Sequence, residues 1–488
     1  MQLLSAMRSK VLHPLKSEGA DNTMARPSSQ HDARLLVNPR ANGSVFILTL
    51  AILLVLTSMA LVLSRTMRVE AASTANHVSQ LQAESIAQGA IAYLKITLAD
   101  HDGSVPDEDT ILSQAVPVGD GYYWLLKPNY EDATSHNFGL IDEQGKLNIN
   151  TAELEDIAGL PNMTQELAAG IVDWRDDNEE AESGGAETAY YASLVPAYRA
   201  KNDLFESVEE LQLVKDMTPA VLYGEDVNRN GKLDENENDA DESLPQDNRD
   251  SLLDYGLAAF VTVYSSQQVL DADGQTRVNV NAGNQFIAVL QEAVASSRIE
   301  QVIIDTRRNR PFENLIDYYY RVGLQESEFE KIVDKLTVGT DRAKGQVNLN
   351  TAPKQVLAAL PGLTDSDVQN IVERQKSDEP FETILDVIKL LSRDKAIAIG
   401  GSVSTKSYRY SADIVATDAK GRGFKRLLVV FDTQTSPVRV LYIRDLTSLG
   451  WPLDPVILSD LRAGQPPAEP GSNVTGSLAF STKILGVQ

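Results

Sequence analysis

The chain has 488 residues, with 69 acidic and 44 basic side chains, a formal net charge of −25 and no cysteine. Length alone suggests about three domains. Because the basic residues are not segregated, a charge this negative disfavours nucleic acid and anionic headgroups as partners. The lack of cysteine excludes disulfides and thiolate metal sites. Five scattered histidines, with no nucleophile elbow, phosphate loop or His-Glu-x-x-His, give no support to an enzyme.

Residues 1–43 are polar and carry Arg8, Lys10, Lys16, Arg26, Arg34 and Arg40. Translation starts at Met1 or at Met24. From Ser44 to Ser64 there is no charge, proline or glycine. A helix of that length spans about 30 Å, the thickness of a bilayer core. Residues 65–97 continue it, with apolar positions such as Val69, Ala72, Leu81, Ile86, Ala90 and Leu94 on one face. The basic excess before the apolar run places everything after Ser64 outside the cytoplasm. A signal anchor or a cleaved secretory signal is the plainer alternative.

Beyond a loop at Gly103–Asp107, the pattern predicts strands at Tyr122–Leu126 and Phe138–Ile141. An internal repeat follows. Lys146-Leu147-Asn148-Ile149-Asn150-Thr151, Arg277-Val278-Asn279-Val280-Asn281-Ala282 and Gln346-Val347-Asn348-Leu349-Asn350-Thr351 are alternating runs. Their last Asn or Thr is placed to cap the next helix. Each run leads to a Phe-Glu segment, at Phe205, Phe312 and Phe381, which defines units near 146–215, 277–323 and 346–392. The final strands are predicted at Tyr408–Val415, Phe424–Phe431 and Val438–Ile443, with a turn at Asp418–Gly421. The Pro-, Gly- and Ser-rich stretch Ala463–Ser477 gives a tail expected to be disordered.

Residues Asp226–Glu237 fit the twelve-residue calcium loop. Asp226, Asn228 and Asn230 supply side-chain oxygens at positions 1, 3 and 5, and Gly231 supplies the turn. Lys232 offers its carbonyl, Leu233 pins the loop, Asp234 ligates directly or through water, and Glu237 binds with both oxygens. The flanks, short at Pro219–Tyr223 and disordered in aspect at Asn238–Asp250, suggest a lone loop rather than a paired EF-hand. A solvated acidic loop is the bland alternative.

The repeated units resemble helix-hairpin-helix modules. In DNA-binding examples a glycine-rich hairpin cradles phosphate. Here Asn162, the acidic run Thr364-Asp365-Ser366-Asp367 and Ala293–Ser297 stand at the hairpins, which favours a packing module.

The N-terminus resembles that of type IV pilin-like proteins: a basic leader, a glycine, then an apolar helix that becomes a stalk. The resemblance implies prepilin peptidase cleavage between Gly43 and Ser44. It also implies Glu at the fifth mature residue, where this chain has Leu48. The K-type minor pseudopilin of type II secretion lacks that Glu too. The chain resembles it again at Asp173-Trp174-Arg175-Asp176, Gly184-Gly185-Ala186-Glu187, Tyr190-Tyr191, Tyr198-Arg199-Ala200-Lys201-Asn202 and Phe205–Leu211. Family members hold calcium in this acidic region, which makes Asp173, Asp176, Asp177 and Glu187 candidates for a second metal site. A charged face without an ion is the alternative.

The implied fold is α+β, a pilin-like transmembrane and stalk helix packed on a small antiparallel sheet. A large, mainly helical domain of helix-hairpin-helix or SAM-like type is inserted between the strands. The corresponding division is leader 1–43, stem 44–97, strands 98–150, inserted domain 151–402, strands 403–450 and tail 451–488. The implied role is that of a minor pseudopilin at the pseudopilus tip, helping to start assembly and export of folded proteins. Its implied partners are the I- and J-type minor pseudopilins, the major pseudopilin, prepilin peptidase and the inner membrane, with the body in the periplasm. No nucleic acid is expected. The rival reading is a membrane-tethered helix-hairpin-helix DNA receptor of a competence-like system. The middle repeat and the long leader are departures from the family pattern.

Overall fold

The computed structural model describes residues 42–467, apart from 107–109, 241, 267–269, 272–273 and 340–344. The leader before Asn42 and the tail from 468 lie outside the described residues. The chain divides into two units, Met1–Ala71 and Ala72–Gln488.

The first unit holds the start of helix α1 (Asn42–Thr97), with Gly43 and Ser44 in its first turn. Val45 to Leu63 expose apolar side chains, and the helix is long and apolar enough to cross a membrane. Its few hydroxyls turn back on the preceding turn. Thr49 donates to Phe46 O at 2.9 Å, Ser58 to Val55 O at 2.8 Å and Thr66 to Val62 O at 3.0 Å. These three hydroxyls are thereby satisfied within the helix.

In the second unit the chain forms β1 (Val116–Val118), β2 (Gly121–Lys127), β3 (Asn137–Phe138) and β4 (Ile141–Asp142). Three short parallel ladders follow, β5 (Leu147–Asn148) with β6 (Val261–Thr262), β7 (Val278–Asn279) with β8 (Leu336–Thr337), and β9 (Val347–Asn348) with β10 (Val403–Ser404). The chain ends on β11 (Arg409–Asp418), β12 (Phe424–Asp432) and β13 (Arg439–Asp445). The main sheet is antiparallel in the order β1-β2-β11-β12-β13, with β3 on β2 and β4 on β11. The helical region is thus threaded between β4 and β11.

Strand alternation divides the sheet into two faces. Ile86, Ala87, Ala90, Ile91, Leu94 and Leu98 of α1 pack on Tyr123, Leu125, Ala412, Ile414, Ala416 and Val429. Small residues let α1 come close. A Cβ on Gly423 would lie 2.6 Å from the backbone of Ser79 and Gln80, so only glycine fits there. The opposite face carries Trp124, Leu126 and Val415, covered by Leu453, Trp451 and Ile457.

That cover corrects the expectation for the tail. Residues 451–467 are not structureless, and Pro455–Arg462 is a helix whose Asp454 side chain accepts from Val456 N. Burial of Leu453 and Leu461 holds it. The single strand expected at Phe138–Ile141 is two, β3 and β4, split at Gly139 because each pairs with a different strand.

The repeat is present at atomic detail and extends beyond the expected limits, each unit closing on its own parallel ladder. Asn150, Asn281 and Asn350 do not cap the next helix. Each accepts instead from the backbone N of Phe205, Phe312 or Phe381 at 2.8 Å. Each also donates to that residue's carbonyl at 2.9–3.0 Å. The local cap loses because the amide can satisfy a donor and an acceptor of one buried turn at once.

Candidate functional site

The 226–237 loop follows the short helix Pro219–Tyr223. Its side-chain oxygens are gathered by backbone N–H groups. Asp226 accepts from Asn230 N at 2.9 Å and Gly231 N at 3.0 Å. Asn228 accepts from Asn230 N at 2.9 Å, and Asn230 from Lys232 N at 2.8 Å. Glu237 accepts from Asp234 N at 3.0 Å. Gly231 has φ +70°, the left-handed turn the pattern requires. Leu233 packs on the main core, and its N–H donates to Ala133 O at 2.8 Å.

Asp226, Asn230 and Glu237 are buried. Burial pushes the Asp226 carboxyl up to about 6. Burial, with the charges of Asp226 and Asp234 added, pushes Glu237 to about 8. The Glu237 Oε1 atom is buried without a hydrogen-bond partner. Buried acids with an orphaned oxygen are costly, and a hard divalent cation would offset that cost. The donor set fits calcium: carboxylates and amide oxygens on one turn, with a bidentate-capable Glu in the last position. Asn228 and Asn230 also donate to one Asp234 oxygen, at 2.7 and 3.0 Å. The 238–250 flank is not featureless, since Asp239 N donates to Asp247 at 2.9 Å and Ser243 N to Asp239 at 3.1 Å.

The second cluster assembles from separate elements. Asp173 comes from helix Gln165–Arg175, Asp176 caps its C-terminus, and Glu187 precedes the turn Thr188–Tyr191. One ligand atom of each lies within 4.8 Å of the others. Asp177, the fourth candidate, is exposed and stands outside this group. Asp173 Oδ2 and both Glu187 oxygens are buried without hydrogen-bond partners. Burial raises the Asp173 pKa. Burial, then the charges of Asp173, Asp176 and Glu179, pushes Glu187 to about 7. All three groups could supply oxygen to a hard cation. A Cβ on Gly185 would collide with Asp173 Oδ2, so the glycine leaves the carboxylate room.

The hairpins are occupied by the chain's own acids. Asn162 (φ +61°) and Gly362 (φ +75°) hold the same left-handed position in the first and third units. The Asn162 amide donates to both oxygens of Asp254, at 2.9 and 2.7 Å. At the third hairpin Asp367 caps its own helix and takes the Lys395 ammonium. A phosphate would meet carboxylates at both places.

Sequence reasoning missed the polar junction between sheet and helices. Asp142 accepts from Asn348 at 2.9 Å, Thr351 at 2.6 Å and Gln144 N at 2.8 Å, and from the Ser407 hydroxyl. Glu143 accepts from Thr262 and Ser411, each at 2.6 Å. Arg426 and Asp413 form a buried pair at 2.6 Å. The available signal was an acid and a base interrupting neighbouring apolar strands.

Residues 149–223 and 347–401 each match the family described as Type II secretion system (T2SS), protein K. The Asp173–Asp176–Glu187 cluster lies inside the first match, whereas the 226–237 loop and the middle unit lie outside both. No curated protein matches. Among solved structures, the chain is similar to one in "The Crystal Structure of the GspK-GspI-GspJ complex from enterotoxigenic Escherichia coli Type 2 Secretion System". Identity is 12% and the TM-score 0.38, over 78% of this chain and 98% of that one.

Proposed function

We propose that this chain is a structural minor pseudopilin, anchored by α1 in the inner membrane with its body in the periplasm. There it sits at the pseudopilus tip, helps start assembly and carries calcium at both acidic sites. The observation that carries the reading is the pair of protein K matches in a chain whose N-terminal helix is apolar enough to cross a membrane. Leu48 supports the tip position. A carboxylate there would need a neighbour's amine ahead of it, and an unpaired buried charge is costly. The bulk of the helical insertion supports it too, since a wide body repeated along a thin shaft would clash.

In this reading the partners are the I- and J-type minor pseudopilins and the major pseudopilin, and prepilin peptidase removes the leader. Co-expression of the full chain with the I- and J-type subunits of its own system, followed by purification in detergent, tests the reading. A stoichiometric complex is expected. The full chain purifying alone, or shifting a DNA fragment at physiological salt, would overturn it.

A further inference from the structure

Arg426 is a fully buried arginine on β12. Its guanidinium is held by Asp413 on β11, with contacts of 2.6–3.2 Å. Two further hydrogen bonds leave the sheet. Nη1 donates to Asn228 O and Nη2 to Arg229 O, each at 2.6 Å. These carbonyls belong to positions three and four of the 226–237 loop.

Other ties converge on the same place. Asn230 donates to Pro452 O at 3.0 Å, on the segment that covers the sheet. The Tyr255 hydroxyl donates to Asn129 O at 2.8 Å and lies 3.2 Å from Gly231 O. Between loop and sheet is a cavity of about 150 Å³, lined in part by Asp226, Tyr255, Ser411 and Asp413. Dry packing therefore does little to fix the loop on this side, and the polar ties set its position. A planar fork reaching two successive carbonyls fixes the peptide between them, and with it the direction of the Asn228 and Asn230 oxygens. Asp413 offsets part of the arginine's charge, and the remainder favours the ionised form of Asp226.

We propose that Arg426 is the positioning residue of the 226–237 loop. Through it, calcium binding in the loop and the seating of β12, β13 and residues 451–462 are one linked equilibrium. The inference rests on the calcium reading of this loop. Linkage is reciprocal: a bound ion firms the C-terminal half of the sheet, and the seated sheet tightens the ion site.

The experiment has two arms on the full chain in detergent. In the native chain, hydrogen exchange is compared in calcium and in chelator. Calcium should slow exchange at β12, β13 and 451–462 as well as in the loop. Slowing confined to the loop would overturn the proposal. The second arm replaces the buried pair by apolar residues, Asp413→Leu with Arg426→Met, a change that buried pairs often tolerate. Calorimetry should show calcium at the loop weakened about ten- to a hundredfold, as loss of an outer-shell support does. Affinity at the Asp173 cluster should stay unchanged, which a general loss of structure would not allow. Arg426→Lys keeps the charge without the fork and should restore little. An unchanged loop affinity in the folded double variant would overturn the proposal. If the double variant does not fold, the exchange arm decides. Failure of the calcium reading is distinct: the native chain would then show no uptake removable by Asp226→Ala with Glu237→Ala, and the proposal would fall with it.

Discussion

Phe381 N donates to Asn350 Oδ1 at 2.8 Å, and Asn350 Nδ2 donates back to Phe381 O at 2.9 Å. The same amide also reaches Thr405 O at 3.0 Å, joining the start, middle and end of the third unit. Asn350→Ala leaves one N–H and two carbonyls without this partner and should cost about 2–4 kcal/mol. Urea unfolding of the soluble body measures it. A loss under about 0.5 kcal/mol would show that water replaces the amide at no cost.

Gly185→Ala puts a methyl group against Asp173 Oδ2. The carboxylate must move, and the geometry with Asp176 and Glu187 goes with it. Calcium titration by calorimetry should fall from two sites to one, with the 226–237 site retained. Two unchanged sites in this variant would mean that Asp173 is not a ligand.

The buried acids set a pH dependence. Unfolded Asp and Glu titrate near 3.9 and 4.3. Folded Asp226 titrates at about 6 and Glu237 at about 8. The folded chain therefore holds more protons in between. The stability these groups allow is fully present below the unfolded values and is lost as pH rises through the folded ones. In chelator, the melting temperature should fall between about pH 5 and pH 8.5, and calcium should restore it most at the alkaline end. Calcium uptake near neutral pH should release protons. A melting temperature that climbs with pH in chelator would contradict the burial argument.

Mass spectrometry of the mature N-terminus should find Ser44 first, and Gly43→Ala should leave unprocessed protein in the membrane. An intact leader on the native protein, or a cut beyond Ser64, would rule out peptidase processing at this junction. Under the tip proposal, Leu48→Glu should be tolerated or mildly harmful in a secretion assay, since no amine would lie ahead of it to pair with.

Much of the fold could be read from residue patterns. The stem is legible because one helix needs a long uncharged run, and α1 ends at Thr97, close to Lys95. The repeat is legible because Asn and Phe, the two ends of its hydrogen-bonded lock, both recur in the sequence. The turn geometry of the 226–237 loop is legible because its residues are consecutive, with Gly231 in the left-handed position the pattern asks for. The second cluster is only half legible. Asp173 and Glu187 meet through folding of the intervening turn, while Asp177, next to a ligand candidate, faces solvent. The Asp142 junction joins positions far apart in the chain, where no local spacing reports the contact. The Arg426–Asp413 pair lies across the β11–β12 hairpin, where strand alternation shows only an acid and a base among apolar residues and not that they meet. The helix at Pro455–Arg462 had its signal in Asp454 and Pro455, a cap and a first-turn proline, masked by the polar composition after Ala463.

The most direct measurement for the tip assignment is immunogold labelling of this chain on assembled pseudopili carrying an accessible epitope on the helical insertion. The account predicts gold at one end of each filament. Gold spaced along the whole shaft would contradict it.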